Sequence, residues 1–245
     1  MKNIRKRFLN HPNGTPDYIS FVKEKFPHSL WLKDKKIQDL SQLYKLVYEN
    51  LLVYELIKEN INQYAENHDF RFLNDYVESI NTLLIAMPVN YPGFSNYNVR
   101  VATESLLKYL YSITFPSKTE KQVAQTPFRH LKDELKLEPS NHAIKQEIIQ
   151  LLDIYGKASK VIHKHTVDSS DLTATINYFI ETDFKELKQN ISTLNRMVNF
   201  FLITVCHKTK FDYNSLTLAS KIKIQNHLSK ARGEKIKQFV LTETP

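Results

Sequence analysis

Glycine is scarce. Four in 245 residues are too few for the turns and bulges of a β-rich fold of this length, so the chain is predicted to be all-α. A single cysteine, Cys206, excludes an internal disulfide framework and a cysteine-based zinc site. It fits a reducing compartment. The longest wholly apolar run is about five residues, against roughly 20 for a spanning helix, which argues against a membrane protein. The basic stretch Met1–Asn10 has no apolar run behind it and is not read as a signal peptide. No glycine-rich phosphate loop, internal repeat or low-complexity tract occurs. A cytoplasmic location is expected.

What is present is an ordinary globular composition, 42% hydrophobic and 24% charged, with a net charge of +8. The charge is uneven. Residues 1–36 carry nine Lys/Arg against three Asp/Glu, and residues 206–240 carry eight against two. The middle, 37–205, is mildly acidic with seventeen against twenty. Basic ends suit contact with phosphate or with an acidic protein. This pattern divides the chain into a basic N-terminal extension over 1–36, a helical core over 37–207 and a basic C-terminal helix and tail over 208–245.

Hydrophobic periodicity predicts the helices. Thr15-Pro16 reads as a helix start and Leu30-Trp31-Leu32 as an apolar plug onto the body. Leu40, Leu43, Tyr44, Val47, Leu51, Tyr54 and Ile57 mark a long helix from about 36 to 67. A second runs from about 70 to 86, and a third from about 95 to 114, ending before Pro116. Residues 117–139 form a polar connector with one short helix over 131–135. A fourth long helix begins at Pro139-Ser140-Asn141 and runs to about 165. A fifth spans about 172–207, and a basic helix spans about 214–230. Gly156 inside the fourth helix costs roughly 1 kcal/mol against alanine, so a close helix crossing is expected there.

Two polar pairs stand out on the core helices: Arg100 with Glu104, and Ser159 with His163. Each is spaced i, i+4, on one helix face. Tyr155 precedes Ser159 by the same interval. If the third and fourth helices pack antiparallel, the two faces meet. Polar groups on such faces need partners, and Arg100, Glu104, Ser159 and His163 would then form either a structural network or a site.

At these residues the chain resembles the HEPN superfamily. Members carry an Arg…Glu pair in an early core helix and a Tyr-x-x-x-Ser-x-x-x-His segment in a later one, here Tyr155, Ser159 and His163. The resemblance covers roughly residues 70–205. It implies an up-and-down helical bundle, here with extra N- and C-terminal helices, often a homodimer, and work in defence or stress, RNA binding and metal-independent RNA cleavage. The family's ribonuclease motif places an arginine four to six residues before a histidine, whereas this chain has Lys157 six before His163. Arg5 and His11 also fit the spacing, but they precede a Pro-Asn-Gly turn and are taken as coincidence. In a catalytic reading His163 is the general acid/base, Lys157 or Arg100 stabilises the phosphorane, and Glu104 orients Arg100.

Other residues carry less. His163 and His165 sit at i, i+2 with no carboxylate cluster, so no metal and no cofactor is expected. Phe128-Arg129-His130 is expected to pack, and Asn190-Ile191-Ser192 has no glycosylation meaning in a cytoplasmic helix. Two functions follow: a HEPN-like protein that binds RNA or a protein partner, with ribonuclease activity, or a non-enzymatic module whose basic ends dock on an acidic protein or nucleic acid.

Overall fold

Apolar stripes at three- and four-residue spacing do produce helices among the described residues. The computed structural model describes residues 14–33, 36–62, 69–164 and 184–240. Among these residues there are ten α-helices and no strand. In chain order they are α1 Thr15–Lys25, α2 Ile37–Asn62, α3 Arg71–Ala86, α4 Pro92–Thr114, α5 Glu120–Gln125, α6 Phe128–Leu137, α7 Lys145–Lys164, α8 Phe184–Lys208, α9 Leu218–His227 and α10 Lys230–Lys237.

The five long helices alternate in direction. Tyr76 on α3 donates to Asn50 on α2 at 2.6 Å, and Tyr54 on α2 donates to Asn74 at 2.5 Å, so these two run antiparallel. The short turn 87–91 returns the chain from α3 into α4. Arg100 meets Tyr155 and Thr114 meets Asn141, which sets α4 antiparallel to the α7 segment. Arg196 donates to Gln150, and Lys208 to Ser140 at 3.0 Å, so α8 reverses α7. The result is an up-and-down bundle. Helix α4 lies at its centre, against α3, α7 and α8. Its buried Ala102, Thr103, Leu106, Leu107 and Leu110 explain why it reads as apolar on most sides.

The described segments flanking the five long helices join the same core. On the N-terminal side the Tyr18 hydroxyl donates to Leu84 O and the Trp31 indole to Met87 O, both at 2.9 Å. Trp31 is fully buried, as an apolar plug should be. On the C-terminal side Phe211, Leu216, Ile224 and Ile236 are buried in the one continuous cluster.

Several local expectations are corrected. The connector after Pro116 is more ordered than its polarity suggests. A capping box between Thr119 and Gln122 starts α5, and buried Leu131 and Leu135 anchor α6. A 3-10 turn over Pro139–Ile144 precedes α7. The C-terminal basic helix is two helices, broken at Leu228 and Ser229. Leu51 and Tyr54 on α2 are only half-buried, while Leu52, Val53 and Leu56 take the core. Gly156 is at no close crossing: a Cβ there would meet nothing within 4 Å. The expected ends of two helices, 63–67 and 172–183, lie outside the described residues.

Candidate functional site at the α4–α7 seam

Antiparallel packing brings Arg100 and Tyr155 together across the seam. One guanidinium nitrogen, Nη2, donates to the Tyr155 hydroxyl at 3.3 Å, and the guanidinium carbon lies 5.4 Å from the ring centroid. This is cation–π distance. The Tyr155 ring also stacks on Phe128, with centroids 3.7 Å apart and planes 16° apart. Phe128, at the first turn of α6, thus packs as expected and braces the tyrosine that holds the arginine.

Arg100 has no carboxylate partner among the described residues, and its Nε is buried with no hydrogen-bond acceptor. The expected Arg100–Glu104 pair does not form. Glu104 pairs instead with Lys108, one turn further along α4, at 2.9 Å. The Ser159 hydroxyl is likewise buried and unpaired. It lies four residues beyond Tyr155, so it faces the same seam about 6 Å further along α7.

Lys157 is not brought to the seam's cluster. Its ammonium pairs with Asp153 at 2.8 Å, and its side chain is 71% exposed. A helix turn of about 100° per residue puts Lys157 well round the helix from Tyr155 and Ser159. His163 lies in the last turn of α7. Its side chain, like all of His165, Arg5 and His11, lies outside the described residues. No group of three or more metal-ligating side chains occurs among the described residues. No helix among them is long and apolar enough to cross a membrane.

Sequence reasoning missed the pocket between the start of α4 and the end of α7. Tyr91, Gly93, Phe94, Tyr97 and Ile162 line a cavity of about 290 Å³. Tyr97 is 52% exposed, high for a large aromatic. The Tyr91 ring lies directly over Gly93, where a Cβ would meet its Cζ at 2.8 Å. The signal available in sequence was the breaker-rich loop before α4, followed by aromatics at 91, 94 and 97.

A second polar cluster is structural. Arg232 on α10 pairs with Glu49 on α2, donates to Asn199 Oδ1 at 2.8 Å and to Asn195 O at 3.0 Å. Glu49 also accepts from the Ser229 amide at 2.8 Å. Both charged side chains are buried, at 7% and 11% exposure. This fastens the basic C-terminal helix to the body, so one of its cations faces inward.

The chain matches no protein-family model, no curated protein and no solved structure.

Proposed function

We propose that this chain is a cytoplasmic, HEPN-like RNA-binding protein of a defence or stress system, acting at the α4–α7 seam. The observation that carries the reading is Arg100: a guanidinium held between two helices, with a buried unpaired Nε and no carboxylate partner among the described residues. Such a cation is under-satisfied unless an anion reaches it, and guanidinium suits phosphate, which it binds through two parallel donors. Cleavage at this seam would be metal-independent. His163, one turn past Ser159 in sequence, would move the proton on the ribose 2′-hydroxyl, and Arg100 would stabilise charge on the phosphorane. Lys157, engaged with Asp153, and Glu104, engaged with Lys108, are left out of that scheme.

The test uses purified full-length protein and single-stranded RNA in EDTA. Cleavage lost in His163→Ala, and binding lost in Arg100→Ala, support the reading. Folded wild-type protein that neither binds nor cuts RNA sinks it. Mass measurement in solution tests the homodimer.

A second reading is a non-enzymatic module that docks through its basic end. Lys223, Lys230 and Lys235 favour it, since all three are exposed on α9 and α10. Reversing these charges would then abolish partner binding while Arg100→Ala leaves it intact.

A further inference from the structure

Three features lie in sequence along the α4–α7 seam. At one level is the Arg100 guanidinium, opposite Tyr155. Four residues on along α7, about 6 Å, is the unpaired Ser159 hydroxyl. Seven residues on, about 10 Å, is Ile162 at the aromatic pocket. Helix α4 carries the same order in reverse. Tyr97 is three residues before Arg100, on the same face about 4.5 Å away along the axis; Phe94 is six before, about 9 Å away and turned about 120° round the helix, and both line the pocket.

Cation, hydroxyl and aromatic pocket therefore succeed one another over the length of one nucleotide, whose phosphate, ribose and base come in that order. We propose that the pocket lined by Tyr91, Phe94, Tyr97 and Ile162 receives an unpaired nucleobase whose phosphate is held by Arg100, making the site specific for single-stranded nucleotides. This rests on the RNA-binding reading of the seam and adds which part of RNA it selects. The pocket is near the small end of ligand sites, about 300 Å³. Its aromatic walls suit a flat ring better than a flexible acyl chain, and every base offers a π-face to stack. A base already paired within a duplex cannot enter it.

Gly93 supplies a means of closing the pocket without touching the cation. A Cβ at this position would sit 2.8 Å from Tyr91 Cζ and 2.9 Å from its hydroxyl oxygen. Both atoms are at the far end of the Tyr91 side chain and not in the backbone, so Gly93→Ala crowds the Tyr91 ring in the pocket while α4 remains helical.

The experiment is calorimetric titration of the full-length protein with AMP, ribose 5-phosphate, inorganic phosphate and a medium-chain fatty acid. A single-stranded RNA oligomer and its abasic counterpart are titrated alongside. Wild type should bind AMP roughly tenfold more tightly than ribose 5-phosphate. Tyr97→Ala and Gly93→Ala should erase that difference and leave ribose 5-phosphate affinity unchanged, with native far-UV dichroism in both. Arg100→Ala should weaken both ligands. Equal affinity for AMP and ribose 5-phosphate overturns the base pocket, as does a base preference that survives both pocket variants, or capture of the fatty acid in place of AMP. If the oligomer binds through Arg100 as tightly without its bases, the base pocket falls and the RNA reading stands. If AMP behaves as stated and the oligomer does not bind, the pocket stands and the RNA reading falls. Protein that binds none of these overturns both.

Discussion

The Glu104 carboxylate lies 2.9 Å from Lys108 Nζ, and Arg100, one turn earlier on α4, has no carboxylate partner among the described residues. Two cations flank one anion on this helix, and the anion goes to the lysine. Removing Glu104 should therefore leave the arginine's chemistry untouched. Glu104→Gln is expected to change RNA affinity by less than about twofold and stability by about 0.3–0.5 kcal/mol, the worth of an i, i+4 pair. Arg100→Ala should weaken RNA binding by roughly tenfold or more, since a charged hydrogen bond contributes about 1.5–3 kcal/mol. Arg100→Lys should not restore it, because an ammonium lacks the planar fork. Fluorescence anisotropy with labelled RNA at fixed salt measures all three.

Gly156 offers a stabilising change. It lies inside α7, and a Cβ would meet no neighbouring atom within 4 Å. Nothing opposes the ordinary helix preference for alanine. Gly156→Ala should raise stability by about 0.5–1 kcal/mol, seen as a higher urea midpoint with an unchanged slope. A lower midpoint would mean that the glycine accommodates something not visible in the packing of the chain itself.

The long helices were legible because helix periodicity is a local property: Leu40, Leu43 and Val47 announce α2 from a few residues of sequence. The Thr119-x-x-Gln122 box that starts α5 was also readable, yet the polar composition around it suggested a loop. Partner choice was less legible. Arg100–Glu104 and Glu104–Lys108 have the same spacing; the acid-before-base order favours the second, and the packing of α7 against α4 draws Arg100 to Tyr155. The Arg232–Glu49 pair spans 183 residues and leaves no local trace at either end. The aromatic pocket was obscured because its residues come from a loop, the start of α4 and the end of α7, where periodicity says nothing about what remains uncovered.

Cys206 is fully buried near the end of α8, and burial pushes its thiol pKa up. The thiolate is the reactive form, so the native protein should resist alkylation at pH 8. Labelling by iodoacetamide should appear only with unfolding, and its urea dependence should follow the loss of far-UV dichroism. Rapid stoichiometric labelling of native protein would contradict this packing.

Glu59 ties α2 to the start of α9. It accepts from the Ser220 hydroxyl at 2.5 Å and from the Thr217 amide at 3.3 Å. Burial raises its pKa, but these hydrogen bonds and the charge of Lys223 outweigh that, and the net shift is downward. A carboxylate whose folded pKa lies below its unfolded one stabilises the fold above the unfolded value, about 4.3. That contribution is lost as pH falls through the folded value. Urea midpoints for wild type and Glu59→Gln should therefore differ most at pH 5–7, and the gap should narrow progressively as pH falls below about 4.3. A gap that is constant from pH 7 to 3 would disprove the linkage.

Arg232 and Glu49 form the tie whose loss should cost most. Both side chains are nearly sealed from solvent, and Arg232 also donates to Asn199 and to the Asn195 carbonyl. Taking away the arginine strands a buried carboxylate, and taking away the glutamate strands a buried guanidinium. Either change alone should destabilise by about 3–5 kcal/mol. The pair itself, weighed against an apolar replacement, is worth much less, because burying both charges already cost desolvation. The double variant Glu49→Leu with Arg232→Met should thus recover a large part of either single loss, a coupling that a double-mutant cycle in urea reads directly. Additive losses would mean that Arg232 is held by its asparagine and carbonyl partners and not by the charge of Glu49. Because Arg232 belongs to α10 and Glu49 to α2, the same variants should also loosen α10, which protease nicking near Ser229 would report before global unfolding.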